Sequence, residues 1–491
     1  MNRTIALAAK ESRRSAGGIR LEPPTRRWPE PFRFLIFREA HEASLKFNRS
    51  SSFPAAGDSM YRTRLLAAVL LVVLPSAFLV VASAVEPNHE VWVVDQSDTT
   101  ADGGGTVYIY GGDALAGRDA TSAVPETIDL GDDARSLCLA QTGTAPRRPH
   151  MLTFNAAYSH AILAFVATGH VVFFDAASRD PVACIDVGAQ AHAAFPSPDS
   201  TYVIAANQNG KLLQRIATDY EAGTFVLETS ATIDLVTCTT PSGAACQDAA
   251  LRPDNAPICP VIEASSRWIF VTLRGGGLFV VDGKTTPMAI VAEYDRATIH
   301  PNGCGGVEAS GKMYINSGGG TAGNPLESDL YAFPLSGFDA VPNPPNSPAP
   351  TLVFSHDDQG FVDSHGAVLT KGGRYLWVGD RAANRIVIVD TWSDHVVGEI
   401  PLSGAVSSDP APDLLAIAPS GNRGYAALRG PNPLTANVAG VDNAVGSTPG
   451  LGVLRVEVNG ARGVFQARAP ITHVVDGIER ADPHGIAVRP G

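Results

Sequence analysis

The chain has 491 residues, of which 45% are hydrophobic and 18% charged, and its net charge is −12. That much apolar side chain can bury a large core and excludes a globally disordered chain, while the acidic excess opposes unassisted binding to nucleic acid or anionic lipid. Gly 48 and Pro 36, without a collagen-like period, imply many turns between short strands, so the expected class is all-β rather than α/β.

Residues 1–59 carry Arg13-Arg14 and Arg26-Arg27 and show no sustained helical or strand period. They are expected to lie outside the fold, as a disordered extension or the product of a start assigned too far upstream. Residues 60–84 read as a secretory signal: Arg62 and Arg64 open it, an apolar stretch follows over 65–81, and Ala82-Ser83-Ala84 supplies small residues for cleavage. An uncleaved anchor is the rival reading, opposed by Pro75 and by the cleavage motif. Residues 85–491 are therefore expected to be extracytoplasmic, periplasmic or secreted, with membrane contact only through a retained signal.

All six cysteines follow this signal, and an even number in an exported chain suggests disulfides. Cys238 and Cys246 bracket a short loop, Cys259 and Cys304 open neighbouring units, and Cys138 with Cys184 completes the set. Asp95, Asp98 and Asp102 stand in a Gly-rich segment that could chelate calcium, although loop aspartates more often solvate or cap turns.

The clearest folding unit begins at His365. An apolar strand is followed by Thr370-Lys371-Gly372-Gly373, by Arg374-Tyr375-Leu376-Trp377-Val378, by residues 385–390 and by residues 396–400, giving four short strands joined by three turns. The unit recurs at His192, where residues 197–207 align with 370–380 without a gap, and again at His150, near Cys259, near Cys304 and at Asp413. A seventh unit is split. The chain ends on Pro483-His484-Gly485-Ile486, a first strand without its continuation, while residues 91–95 and 106–110 are later strands without a first.

The turn Ser197-Pro198-Asp199-Ser200 and the strand 202–207 resemble the YVTN β-propeller repeat, and the resemblance covers nearly all of residues 85–491. It implies a seven-bladed β-propeller of four-stranded antiparallel blades, closed by the C-terminal strand joining the N-terminal blade, which would remove an exposed sheet edge.

In a propeller the first strand of each blade lines the central channel. The residues opening those strands are His150, His192, His365, His484 and Asp413, with Cys259 and Cys304 within one residue of the same position and His300 four residues before Cys304. Imidazoles, thiolates and a carboxylate converging on one cavity are a ligand set for copper, zinc or manganese. The competing reading is structural, with ring nitrogens bonding the neighbouring blade, and a Cys259–Cys304 disulfide would withdraw both thiolates. Gly283-Lys284-Thr285 and Gly275-Gly276-Gly277 read as hairpin connections rather than phosphate loops. No Gly-x-Ser-x-Gly, His-Glu-x-x-His or Cys-x-x-Cys-His occurs.

Two functions follow as expectations. The first is a monomeric binding or scaffold propeller engaging a protein or small ligand through its loop face or channel. The second is a metal-dependent enzyme, a copper oxidoreductase or a lactonase-like hydrolase, with these histidines as ligands and Asp413 or Glu308 as base.

Overall fold

The computed structural model describes residues 88–318, 326–338 and 347–491. The extension and the signal expected over residues 1–84 lie outside them. Seven four-stranded antiparallel sheets form the ring. Blades 1 to 6 span residues 149–186, 191–234, 257–294, 306–355, 364–401 and 412–470, beginning where the repeat predicts. Blade 7 combines Pro483–Pro490 with His89–Asp95, Thr106–Gly111 and Glu126–Asp129. Trp92 stands opposite Ala487 in that closing pair, so the two ends of the fold share one sheet.

The strand sequences explain the packing. Second and third strands such as Tyr375–Asp380 and Arg385–Asp390 are buried on both faces, whereas the outer strand His395–Pro401 is largely exposed. A blade cannot cover both of its own faces, so each apolar cluster forms between neighbours. Trp377, Ile386 and Ile388 of blade 5 pack with Leu415, Leu428 and Leu454 of blade 6, and the Trp377 indole donates to the Gly460 carbonyl at 2.8 Å.

The three expected disulfides form: Cys138–Cys184, Cys238–Cys246 and Cys259–Cys304. One element was not anticipated, a helix over Asp133–Thr142 between blades 7 and 1. Its sequence lacks a continuous apolar stripe, and its Cys138 ties it to blade 1 through Cys184. Among the described residues no helix is long and apolar enough to cross a membrane.

Candidate functional site

Each channel histidine is placed by the same local device. In six blades the pairing of first and second strands shifts register at the opening residues, as between Pro149 and Leu152, Ser364 and Ala367, or Pro412 and Leu415. Such a bulge re-aims a side chain. His150, His192, His365, Asp413 and His484 are each the second residue of their strand, and all five are buried. After His365 and His484 a glycine permits close approach of the inner strands: a Cβ at Gly366 would lie 2.4 Å from the Asp413 carbonyl oxygen, and one at Gly485 2.5 Å from that of His150.

The five side chains meet. His365 Nε2 lies 3.2 Å from His484 Nε2 and 3.1 Å from Asp413 Oδ1, and His484 Nε2 is 3.7 Å from the same oxygen. Ligand atoms around a tetrahedral zinc with bonds of about 2.0–2.1 Å lie about 3.3 Å apart, so this triangle has the size of a coordination face. His150 stacks on His484 with ring centroids 3.7 Å apart, and its Nε2 faces that of His192 at 3.3 Å.

Hydrogen bonds on the far sides of the rings fix their tautomers. Gln96 donates its amide nitrogen to Asp482 at 2.9 Å, so its oxygen faces His150 and accepts from Nδ1 at 2.8 Å. His192 Nδ1 donates to the Ile258 carbonyl at 3.0 Å, and His484 Nδ1 to that of His150 at 3.2 Å. The Nε2 atoms of these three rings therefore carry lone pairs, and between His150 and His192 two lone pairs face each other. Protonation would relieve that contact, but burial opposes it. Burial lowers His192 to about 4 and His484 to about 3, and it holds His150 and His365 well below 6.5.

Asp413 is the anionic member. Burial works against its charge, but neighbouring His484, His365, Arg429 and Arg381 outweigh that and hold it well below the ordinary carboxylate range. Arg429 bridges Asp413 and Asp482, and Arg381 bridges Asp413 and Asp363; all five side chains are fully buried. The long connection between the second and third strands of blade 6, residues 429–449, is anchored on the same network. Leu434 N–H donates to Asp482 at 2.7 Å, Arg429 donates to the Thr435 carbonyl at 3.0 Å, and Asn443 donates to Asp363 at 2.6 Å. Leu434, Thr435 and Ala436 thereby border a cavity of about 640 Å³ onto which His150, His192 and His365 open.

The remaining sequence candidates lie elsewhere. His300 joins a different group, bonded to Asp329 at 2.7 Å with Asp357 at 3.4 Å. Glu308 accepts the Ala264 backbone N–H at 2.6 Å, which gives it a turn-holding role. Cys259 and Cys304 stand beside His192 but are joined to each other. Asp98 and Asp102 pair with Arg147 and Arg135, while Asp95 bonds Ser97 and the Asp482 N–H, so the three aspartates do not converge. Residues 275–277 and 283–285 occupy hairpin connections, as expected.

Gln96, Arg381 and Arg429 were missed from sequence. They share a repeat position, the residue immediately after each blade's second strand, where Gln208 and Arg274 also stand. Aligning the blades one residue past that strand would have displayed them.

The molecule thus belongs to the class of seven-bladed β-propellers, with a buried cluster of neutral imidazoles and one carboxylate at the channel mouth. The chain matches no family model and no curated relative. Its fold is similar to a protein from Lactobacillus plantarum (TM-score 0.52, 10% identity, covering 82% of this chain and 99% of that one). It is also similar to the periplasmic gluconolactonase PpgL of Pseudomonas aeruginosa (0.50, 13%, 82% and 99%) and to a putative 6-phosphogluconolactonase of Bacteroides fragilis (0.50, 12%, 82% and 98%). At these identities the likeness is one of fold.

Proposed function

We propose that this is an extracytoplasmic propeller that binds a late first-row divalent metal, zinc or copper, at its channel mouth. His365, His484 and Asp413 supply the ligand face, with His150 and His192 beside it. The observation that carries the reading is the set of inward-facing Nε2 lone pairs on His150, His192 and His484, fixed by the acceptors that each of these rings reaches through Nδ1–H on its opposite side and kept neutral by burial. A cation satisfies those lone pairs where a proton does not. The nitrogen-rich set favours zinc or copper over manganese, which prefers oxygen ligands. Three disulfides support a location outside the reducing cytoplasm, as does the signal expected over residues 60–84.

Elemental analysis of protein purified without chelators tests the reading. Stoichiometric zinc or copper is expected, and it should be lost from a folded His365→Ala variant. No metal after supplementation, or full retention by that variant, would sink it.

A second reading, a metal-dependent hydrolase of the lactonase type, is favoured by the cavity onto which three of the rings open, since catalytic metal sites keep a position for substrate. Lactone hydrolysis by the metal-loaded protein that disappears in His365→Ala would support it. An inactive, fully loaded protein would leave a binding function.

A further inference from the structure

The cavity above the histidines has a charge pattern that a metal site alone does not require. Arg148, Arg274, Arg296 and Arg381 are on its wall, against one acidic residue, Asp254. Arg274 pairs with Asp254 at 2.6 Å, and Arg381 is bound to Asp363 and Asp413. Arg148 and Arg296 form no ion pair among the described residues. Arg148 gives one N–H to the Leu434 carbonyl at 3.3 Å, while its buried Nε has no acceptor; the fully buried Arg381 leaves Nη2 likewise without one. In a chain of net charge −12, carboxylates are plentiful, yet among the described residues none pairs with Arg148 or Arg296. Buried guanidinium donors without acceptors are costly unless a ligand supplies them. Besides the histidines and Thr435, the remaining polar wall is amide: Gln190, Gln208 and Asn302, with Gln190 Oε1 buried and without a donor.

We infer that the cavity takes a small hydroxylated organic anion of sugar-acid size, its carboxylate paired with the arginine wall and its hydroxyls with the amides. Guanidinium groups recognise carboxylates through charge-assisted hydrogen bonds, and amides both donate to and accept from hydroxyls. About 640 Å³ accommodates a molecule of that size, which a bare inorganic anion would not fill. The inference deepens the metal reading, because a divalent cation at His365, His484 and Asp413 would add positive charge beneath the anion, but the arginines contribute with or without it.

Calorimetric titration of galactonate, with galactitol as its neutral counterpart, into zinc-loaded and chelator-stripped protein provides the test. Zinc content is counted separately in every sample. Galactonate is expected to bind one to one. Galactitol and an Arg148→Gln/Arg296→Gln variant should each show affinities at least about tenfold weaker, as loss of a charge-assisted bond predicts, with zinc content unchanged in the variant. Arg296 is exposed, so Arg296→Gln alone keeps the comparison available if Arg148 proves necessary for folding. No saturable heat with zinc-loaded protein, or equal affinity in the arginine variants, overturns the anion site and leaves the metal reading standing. Arginine-dependent galactonate binding by a protein that never takes up zinc upholds the anion site and removes the metal.

Discussion

Two groups of histidine and aspartate in this propeller have nearly the same composition and opposite chemistry. At the channel mouth His365 and His484 flank Asp413, all buried; beside blade 4 His300 lies between Asp329 and Asp357, with its ring 38% exposed. Asp413 is already committed to Arg381 and Arg429, so burial governs the imidazoles and keeps them neutral. Asp329 hydrogen-bonds His300 and, against the opposing effect of burial, raises it to about 9. At neutral pH the first group offers lone pairs to a cation, while the second is a closed ion pair whose imidazole has no lone pair to give. Histidine next to aspartate becomes ligand-competent only when something else neutralises the aspartate.

The arginines that do so give the largest expected effect. Arg429→Ala leaves Asp413 and Asp482 facing a buried gap, and breaking a buried pair in this way costs about 3–5 kcal/mol. Urea unfolding should register the loss as a large drop in midpoint. Removing His300 from its half-exposed pair should cost about 1 kcal/mol or less. Equal losses in the two variants would mean that the channel network is not the buried device described.

This contrast marks where the sequence was legible. Strands, blade boundaries and ring closure could be read because each is written six or seven times, and the opening residues could be read because one position repeats as His or Asp. His300 was grouped with the others on its spacing from Cys304 alone. Positive-φ residues Asn302 and Gly303 intervene, and its partners Asp329 and Asp357 come from distant sequence, so no local pattern shows them. Gln96, Arg381 and Arg429 were hidden differently: they follow a recognisable strand and look like the first residues of loops, whereas the structure aims them at Asp482 and Asp413.

Metal affinity sharpens the comparison next. His365→Ala should weaken zinc binding, measured by competition with a chromophoric chelator, by more than the roughly 10–100-fold that loss of an outer partner costs. His300→Ala should leave it unchanged. A reversal would move the metal to the His300 group. Gln96→Leu removes the acceptor that orients His150 without touching a ligand atom of the triangle. Its effect should fall within the roughly 10–100-fold range of outer-shell losses, and a Gln96→Glu variant should not recover it, because its carboxylate would face Asp482 where the Gln96 amide donates.

The smallest effect separates the two groups by pH. His300 rises from 6.5 to about 9 in the folded protein, chiefly through its hydrogen bond to Asp329. A raised value means that the folded state holds its proton more tightly than the unfolded chain. The stabilisation is therefore fully present below pH 6.5 and disappears as pH climbs to about 9. Screening at a ring this exposed limits it to about 1 kcal/mol or less. Stability of the wild-type protein should decline across that window more steeply than that of His300→Gln, whose amide can still donate to Asp329 but does not titrate. Parallel curves would show that His300 is uncharged in the folded state, and its group would then regain the ligand-competent character that distinguishes the channel cluster.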